Sequence, residues 1–201
     1  MEQFLPIILV TAVMAVTIWI AVGVARKRQR RIEELWRHLA EHFGGEFVPS
    51  KRAFWSGKSM RAEVEVGGVP VVLDSYVVSH GKSSTTYSRA SAPAPTPHRL
   101  EVSRSHLFTA VGRALGMQDH LIGDEVYDEA FTIKGDDPEW VAAILDEPLR
   151  RAHLAQDRLK LQIKDGQART IRVGFEDDLG VLIERIQLTA ALALAAKAVA
   201  P

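Results

Sequence analysis

The longest apolar run in the chain stands near its start. From Phe4 to Ala25, 22 residues carry no charged side chain, and Leu, Ile, Val, Ala and Met dominate them. As a helix at about 1.5 Å per residue this run spans roughly 33 Å, enough for the hydrocarbon core of a bilayer. Pro6 falls in the first turn, where a missing N–H costs little. Trp19 lies within two turns of the basic end, a position suited to an interfacial anchor. A cleaved signal peptide needs a basic leading region, but only Met1, Glu2 and Gln3 precede the run, and its apolar part would be shorter. The pattern predicts an uncleaved, single-pass transmembrane helix.

Arg26, Lys27, Arg28, Arg30 and Arg31 follow immediately. By the positive-inside rule that end stays cytoplasmic, so the N-terminus faces out. Residues 1–31 then form the anchor with its basic stop, and residues 32–201 form a cytoplasmic domain at an inner membrane. The five basic residues either bind anionic lipid, at about 1 kcal/mol each near a negative leaflet, or act as a topology signal alone.

Beyond the anchor the period changes. Ile32, Leu35, Trp36, Leu39 and Phe43 recur at helical spacing, and Gly44-Gly45 stops the helix. Residues 61–74 alternate instead, around Gly67-Gly68, a two-residue hairpin turn. This register pairs Val66 with Val69, Val64 with Val71 and Ala62 with Leu73 on one face. The other face receives Arg61 opposite Asp74 as a cross-strand ion pair. The chain turns again near His80-Gly81 and returns through Thr85–Arg89. Ala90–Pro97, with alternate prolines, reads as an extended surface loop. Arg99–Ser103 resumes a strand, and Leu107, Phe108, Val111 and Leu115 mark a short helix closed by Gly116.

Ala130–Lys134 reads as a strand. Asp137 with Pro138, and Asp146 with Pro148, start two short helices. Leu159–Lys164 and Arg169–Phe175 form a hairpin about Asp165-Gly166. An odd loop there keeps Leu161, Ile163, Ile171 and Val173 on one face. A last helix runs from about Asp177 to Val199. Its stripe through Leu182, Ile183 and Ile186 faces the sheet, and Val181, Leu188, Leu192 and Val199 form a second stripe opposite. That second row covers either another helix of the fold or a second chain, a homodimer or a membrane protein. The predicted class is α+β, an N-terminal transmembrane helix followed by an antiparallel sheet packed with helices.

Composition narrows the chemistry. The 201 residues are 47% apolar and contain no cysteine, which excludes disulfides, thiol catalysis and Cys-type zinc sites. The formal net charge is zero. Residues 1–31 hold five of 25 basic and one of 25 acidic residues, leaving 20 basic and 24 acidic groups beyond them. A domain charge of −4 opposes nucleic-acid binding, which needs clustered Lys and Arg.

Three local patterns offer chemistry. His38-Leu-Ala-Glu-His42 fits H-x-x-E-H, with two histidines on one helix face and Glu41 placed to polarise a zinc-bound water. The amphipathic stripe explains the same helix without a metal, and no third ligand is identifiable. Gly81-Lys82-Ser83 has the end of a phosphate loop but lacks its first glycine and following helix. Residues 119–147 hold ten acids and one base, Lys134. Five of these acids sit at predicted helix starts, where they cap, which leaves Asp124 and Asp128 as candidates for a divalent cation.

The stretch Gly123-Asp-Glu-Val-Tyr-Asp-Glu-Ala-Phe-Thr-Ile-Lys-Gly-Asp-Asp137, with Ile144-Leu145 and Leu149-Arg150-Arg151, resembles a pattern in uncharacterised bacterial membrane-anchored proteins. The resemblance implies a bacterial source and brings no catalytic residue. The sequence therefore favours a membrane-anchored, non-enzymatic domain for protein or ligand interaction, with no cofactor. The alternatives are a membrane-tethered hydrolase using a metal on His38, Glu41 and His42, and a pocket for lipid or another apolar ligand between sheet and helices.

Overall fold

The computed structural model describes residues 5–49, 60–81, 83–105, 120–156 and 158–199. The expected helix over Leu107–Gly116 lies outside them, as do Lys82 and Asp119. The chain is α+β, with one antiparallel eight-stranded sheet and its helices.

The first helix, α1, runs from Leu5 to His42 without a break. The apolar run and the amphipathic stretch after Arg31 are therefore one rod. At about 1.5 Å per residue it is roughly 57 Å long. No proline or glycine pair interrupts the junction, so nothing in the sequence stops the helix there. What changes is the environment. Val13 to Val24 are exposed on every side, whereas Ile32, Trp36, Leu39 and Ala40 are buried in the domain.

Strand β1 (Glu46–Val48) is an edge strand paired with β2 (Arg61–Val66). Gly67 and Gly68, with φ of 56° and 81°, turn the chain into β3 (Val69–His80). Both positions need the left-handed region that glycine enters without a Cβ clash. The register is the expected one, with Val64 opposite Val71 and Ala62 opposite Leu73. Arg61 does lie opposite Asp74, but the ion pairs fall differently. Asp74 takes Arg89 from the next strand, and Arg61 takes Glu63 on its own strand.

Strand β4 (Ser83–Pro93) takes up the first half of the segment expected to be a surface loop, and the rest, from Ala94 to Pro97, lies outside any strand. Ala90, Ala92 and Ala94 are fully buried, while Pro93, Pro95 and Pro97 point out. The Ala-Pro alternation is a strand period in which only the small residues face inward. Strand β5 (Leu100–Arg104) follows, then α2 (Glu125–Ala130), β6 (Phe131–Gly135), α3 (Pro138–Ile144) and α4 (Glu147–Leu154). Asp124, Asp137 and Asp146 cap the three helices through their carboxylates.

Strands β7 (Lys160–Lys164) and β8 (Gln167–Val173) close the sheet in the order β1-β2-β3-β4-β8-β7-β5-β6. Their loop corrects the odd-loop expectation. Lys164 pairs with Gln167, and Asp165 and Gly166 take φ of 55° and 70°, a two-residue turn. The buried face of β8 is consequently Ala168 and Thr170, and Ile171 and Val173 lie on the other side.

The last helix, α5 (Leu179–Ala198), crosses β8, β3 and β4 and touches α1, α3 and α4 as well. Small residues at the contact, Ala90, Ala92 and Ala168 below and Ala190, Ala193 and Ala196 above, let backbone approach backbone. The helix has the length and hydropathy to cross a membrane, but half of that stretch is buried in the domain. Of the two alternatives for the second stripe, the structure supports a neighbour within the fold. Leu188 and Leu192 are 3% and 0% exposed, and Val181 and Val199 are half-buried. At about 100° per residue the two stripes merge into one buried arc of roughly 200°. A helix wedged between a sheet and other helices needs an arc of that width, so the row is internal and is not a docking face.

Candidate functional site

The structure places the five basic residues on the free side of α1. At about 100° per residue, Gln29 falls on the arc of Trp36 and Phe43. Lys27, Arg28, Arg30 and Arg31 lie about 100–160° away from Gln29 and Arg26 about 60° away, and all five are exposed. Gln29 Nε2 lies 3.0 Å from Glu33 Oε1 and 3.5 Å from Met60 Sδ. Met60 is buried at the root of β2. The domain thus begins about one helical turn beyond the first basic residue.

His38, Glu41 and His42 are all exposed on α1. His42 stacks edge-on against Phe43, with centroids 4.8 Å apart. Among the described residues no group of three His, Asp or Glu side chains is spaced to hold a metal ion. The H-x-x-E-H spacing here is the solvent side of an amphipathic helix. Gly81 and Ser83 flank the tip of the β3–β4 hairpin, and a strand follows where a phosphate loop requires a helix.

Asp124 and Asp128 are occupied by local structure. Asp124 accepts from the Tyr127 N–H at 3.2 Å and from Arg150 Nε at 2.8 Å. The Tyr127 amide first, and the Arg150 guanidinium second, hold its carboxyl below the usual range. Asp128 accepts from the backbone N–H groups of Ile122 and Gly123 at 3.2 and 3.0 Å. These bonds use the oxygens that a cation would need.

Two buried polar groups were not anticipated. His153 is fully buried beneath α2 and β6. Its Nε2 faces the Leu159 carbonyl at 2.9 Å, and its Nδ1 lies 2.7 Å from the Tyr127 hydroxyl. The carbonyl can only accept, so Nε2 carries the proton and Nδ1 accepts from Tyr127. Burial pushes the imidazole down to about 4, and the Phe131 ring stacks on it at 4.1 Å.

Arg185 is fully buried between α5 and the sheet. Its guanidinium donates to Ser88 Oγ at 2.9 Å, the Ser88 carbonyl at 2.7 Å, the Thr170 carbonyl at 2.9 Å and Thr170 Oγ1 at 3.3 Å. Thr189 Oγ1 completes the cluster, 2.8 Å from Thr170 Oγ1. Four neutral acceptors on two adjacent strands thus satisfy one cation, and burial lowers its pKa to about 10. The signal for it lies in α5 itself. Arg185 and Thr189 fall within the buried arc, where a polar residue requires a polar partner beneath it.

These side chains lie buried between α5 and the sheet. Two grooves among the described residues open elsewhere. One, of about 420 Å³, lies on the outer face of β2, β3, β4 and β8 beside the Asp74–Arg89 pair and Arg169. The other, of about 500 Å³, is lined by Arg99, Glu101, Lys134, Asp136 and Lys164. Outward from the first, Arg89 lies over the Tyr76 ring at 5.2 Å, and Tyr76 stacks on Tyr87 with centroids 5.3 Å apart.

No protein-family model and no curated protein matches the chain. Among solved structures, the mycobacterial trehalose monomycolate transport factor A, TtfA, aligns over 86% of this chain and 97% of its own, with a TM-score of 0.50 and 9% identity. At that identity the likeness is one of fold, and it covers nearly the whole of both chains.

Proposed function

We propose that this chain is a membrane-tethered accessory domain that supports an integral membrane protein of a bacterial inner membrane and performs no catalysis itself. The observation that carries this reading is the continuity of α1. One rigid helix is apolar and exposed on all sides over Val13–Val24 and part of the domain core from Ile32 onward. Exposed apolar surface of that extent is costly in water and favourable in a bilayer. The basic arc at Arg26–Arg31 orients the helix with the domain on the cytoplasmic side and the N-terminus out. The buried Arg185 guanidinium and His153 imidazole are taken up by backbone carbonyls and hydroxyl groups, which favours a structural role for both. A fold shared with a transport factor is consistent with an accessory duty at the membrane.

The test uses the full chain expressed in bacterial membranes. It is expected to resist an alkaline carbonate wash, and a double variant, Ile18→Arg with Val22→Arg, is expected to be released with its domain folded. Cross-linking in those membranes should recover a discrete integral membrane protein. Release of the unaltered chain by the wash would overturn the anchor, and a hydrolytic activity lost in His38→Ala would overturn the non-catalytic reading.

A further inference from the structure

The direction of each strand relative to α1 can be read from three contacts. Gln29 of α1 meets Met60, just before β2 begins. Glu46, just past the end of α1, pairs with Glu63 within β2. Strand β2 therefore runs the same way as α1, away from the basic arc. Strand β3 is antiparallel to β2 and runs back toward that arc. Arg61, at the root of β2, is level with Asp74. Strand β3 continues six residues further, to His80. At about 3.3 Å per residue that adds roughly 20 Å. Along α1, only three residues separate Gln29 from Arg26, roughly 5 Å. The hairpin thus rises past the height at which the basic residues end.

The protruding ribbon has an unusual surface. The Gly174 N–H still donates to the Thr86 carbonyl at 2.8 Å, so β8 supports β4 as far as Thr86. Among the described residues, Val77–His80 and Ser83–Thr85 beyond it are strand-paired only with each other. The sequence from Ser75 to Ser88 contains no Asp or Glu. Val77 is 61% exposed and Val173, beside the base of the arm, is 60% exposed. Tyr76 and Tyr87 stack across the strands at its root. Exposed valines, paired tyrosines and hydroxyl residues suit the headgroup layer, where an apolar body and a polar tip are both satisfied.

We infer that the β3–β4 hairpin is a second membrane contact, seated in the headgroup layer of the bilayer that holds α1. This rests on the proposed anchor. The helix meets the lipid with its basic arc on one side, and the hairpin meets it on the domain side, so the domain is held at a fixed height and tilt.

The absence of cysteine allows a direct test on the full chain. Single variants Val77→Cys, Glu65→Cys and Ile18→Cys are labelled with an environment-sensitive fluorophore. They are reconstituted in vesicles of zwitterionic and anionic phospholipid, with and without lipids bearing nitroxide quenchers at the headgroup or along the acyl chain. Val77 is expected to lose most of its emission to the headgroup quencher and to shift to the blue. Glu65, beside the distal Gly67-Gly68 turn, is expected to be unaffected, and Ile18 to be quenched from the acyl chain. Quenching of Ile18 without quenching of Val77 overturns the hairpin contact and leaves the anchor standing. Loss of quenching at both positions overturns the anchor and the contact together.

Discussion

The Gln29 side-chain amide lies 3.5 Å from the Met60 sulfur, and that contact marks the point where α1 stops being a free rod and becomes part of the domain. One and two turns further on, Ile32 and Trp36 are 4% and 1% exposed, and Trp36 meets the Phe175 ring edge-on at 6.0 Å. The orientation of the exposed segment is thus set by core packing.

Trp36→Ala is expected to uncouple the two. Removing a fully buried indole should cost about 3–5 kcal/mol of domain stability. Amide exchange over Ile32–Leu39 should rise more than exchange over β7 and β8. Uniform loss of protection across the domain would show that this part of α1 is not a separable unit.

The first hairpin fixes which face of the sheet is core. Leu73 is fully buried, and Glu63 lies on the outer face. Leu73→Ala should destabilise by about 2–5 kcal/mol in urea unfolding, whereas Glu63→Ala should change stability by less than about 0.5 kcal/mol. Equal effects would contradict the register.

Arg185 ties α5 to β4 and β8 without a carboxylate in contact. Arg185→Ala leaves a cavity and removes four hydrogen bonds, for an expected loss of about 3–5 kcal/mol. Arg185→Met should cost less, because it fills most of the volume and also removes the desolvated charge. Chemical denaturation of the two variants gives the order directly.

His153 makes stability depend on acid. Its folded value is about 4 against 6.5 for an unperturbed histidine. Between these values the unfolded chain binds the extra proton, so stability is intact above about 6.5 and falls as pH drops toward 4. The loss attributable to this one group is on the order of 3 kcal/mol. His153→Gln, which cannot titrate, should show a flatter pH profile in the same window even if less stable at pH 7.

Several elements were legible because local chemistry and tertiary packing agree. Gly67-Gly68 allows only a tight turn, and the alternating valines around it leave one register that buries a common face. Asp137-Pro138 and Asp146 likewise specify helix starts by capping. Elsewhere the core is built from residues that do not look like core. The inward face of β4 is Ser88, Ala90 and Ala92, that of β8 is Ala168 and Thr170, and both are small because α5 lies close above them. By hydrophobicity Ile171 and Val173 make the better inner face, and Ala90–Pro97 has the composition of a loop. The second stripe of α5 leaves its cover open because periodicity reports burial without saying by what. The direction of the β3–β4 hairpin relative to α1 depends on the Gln29–Met60 and Glu46–Glu63 contacts, which join residues 31 and 17 positions apart.

With α1 across a membrane as proposed, the domain lies on the basic side. A thiol placed by Glu65→Cys, in a chain that has no other cysteine, reports this directly. In spheroplasts expressing the full chain, a membrane-impermeant maleimide is expected to leave it unmodified until the inner membrane is opened, and then to label it fully. Full labelling in intact spheroplasts would place the domain on the opposite side and contradict the account.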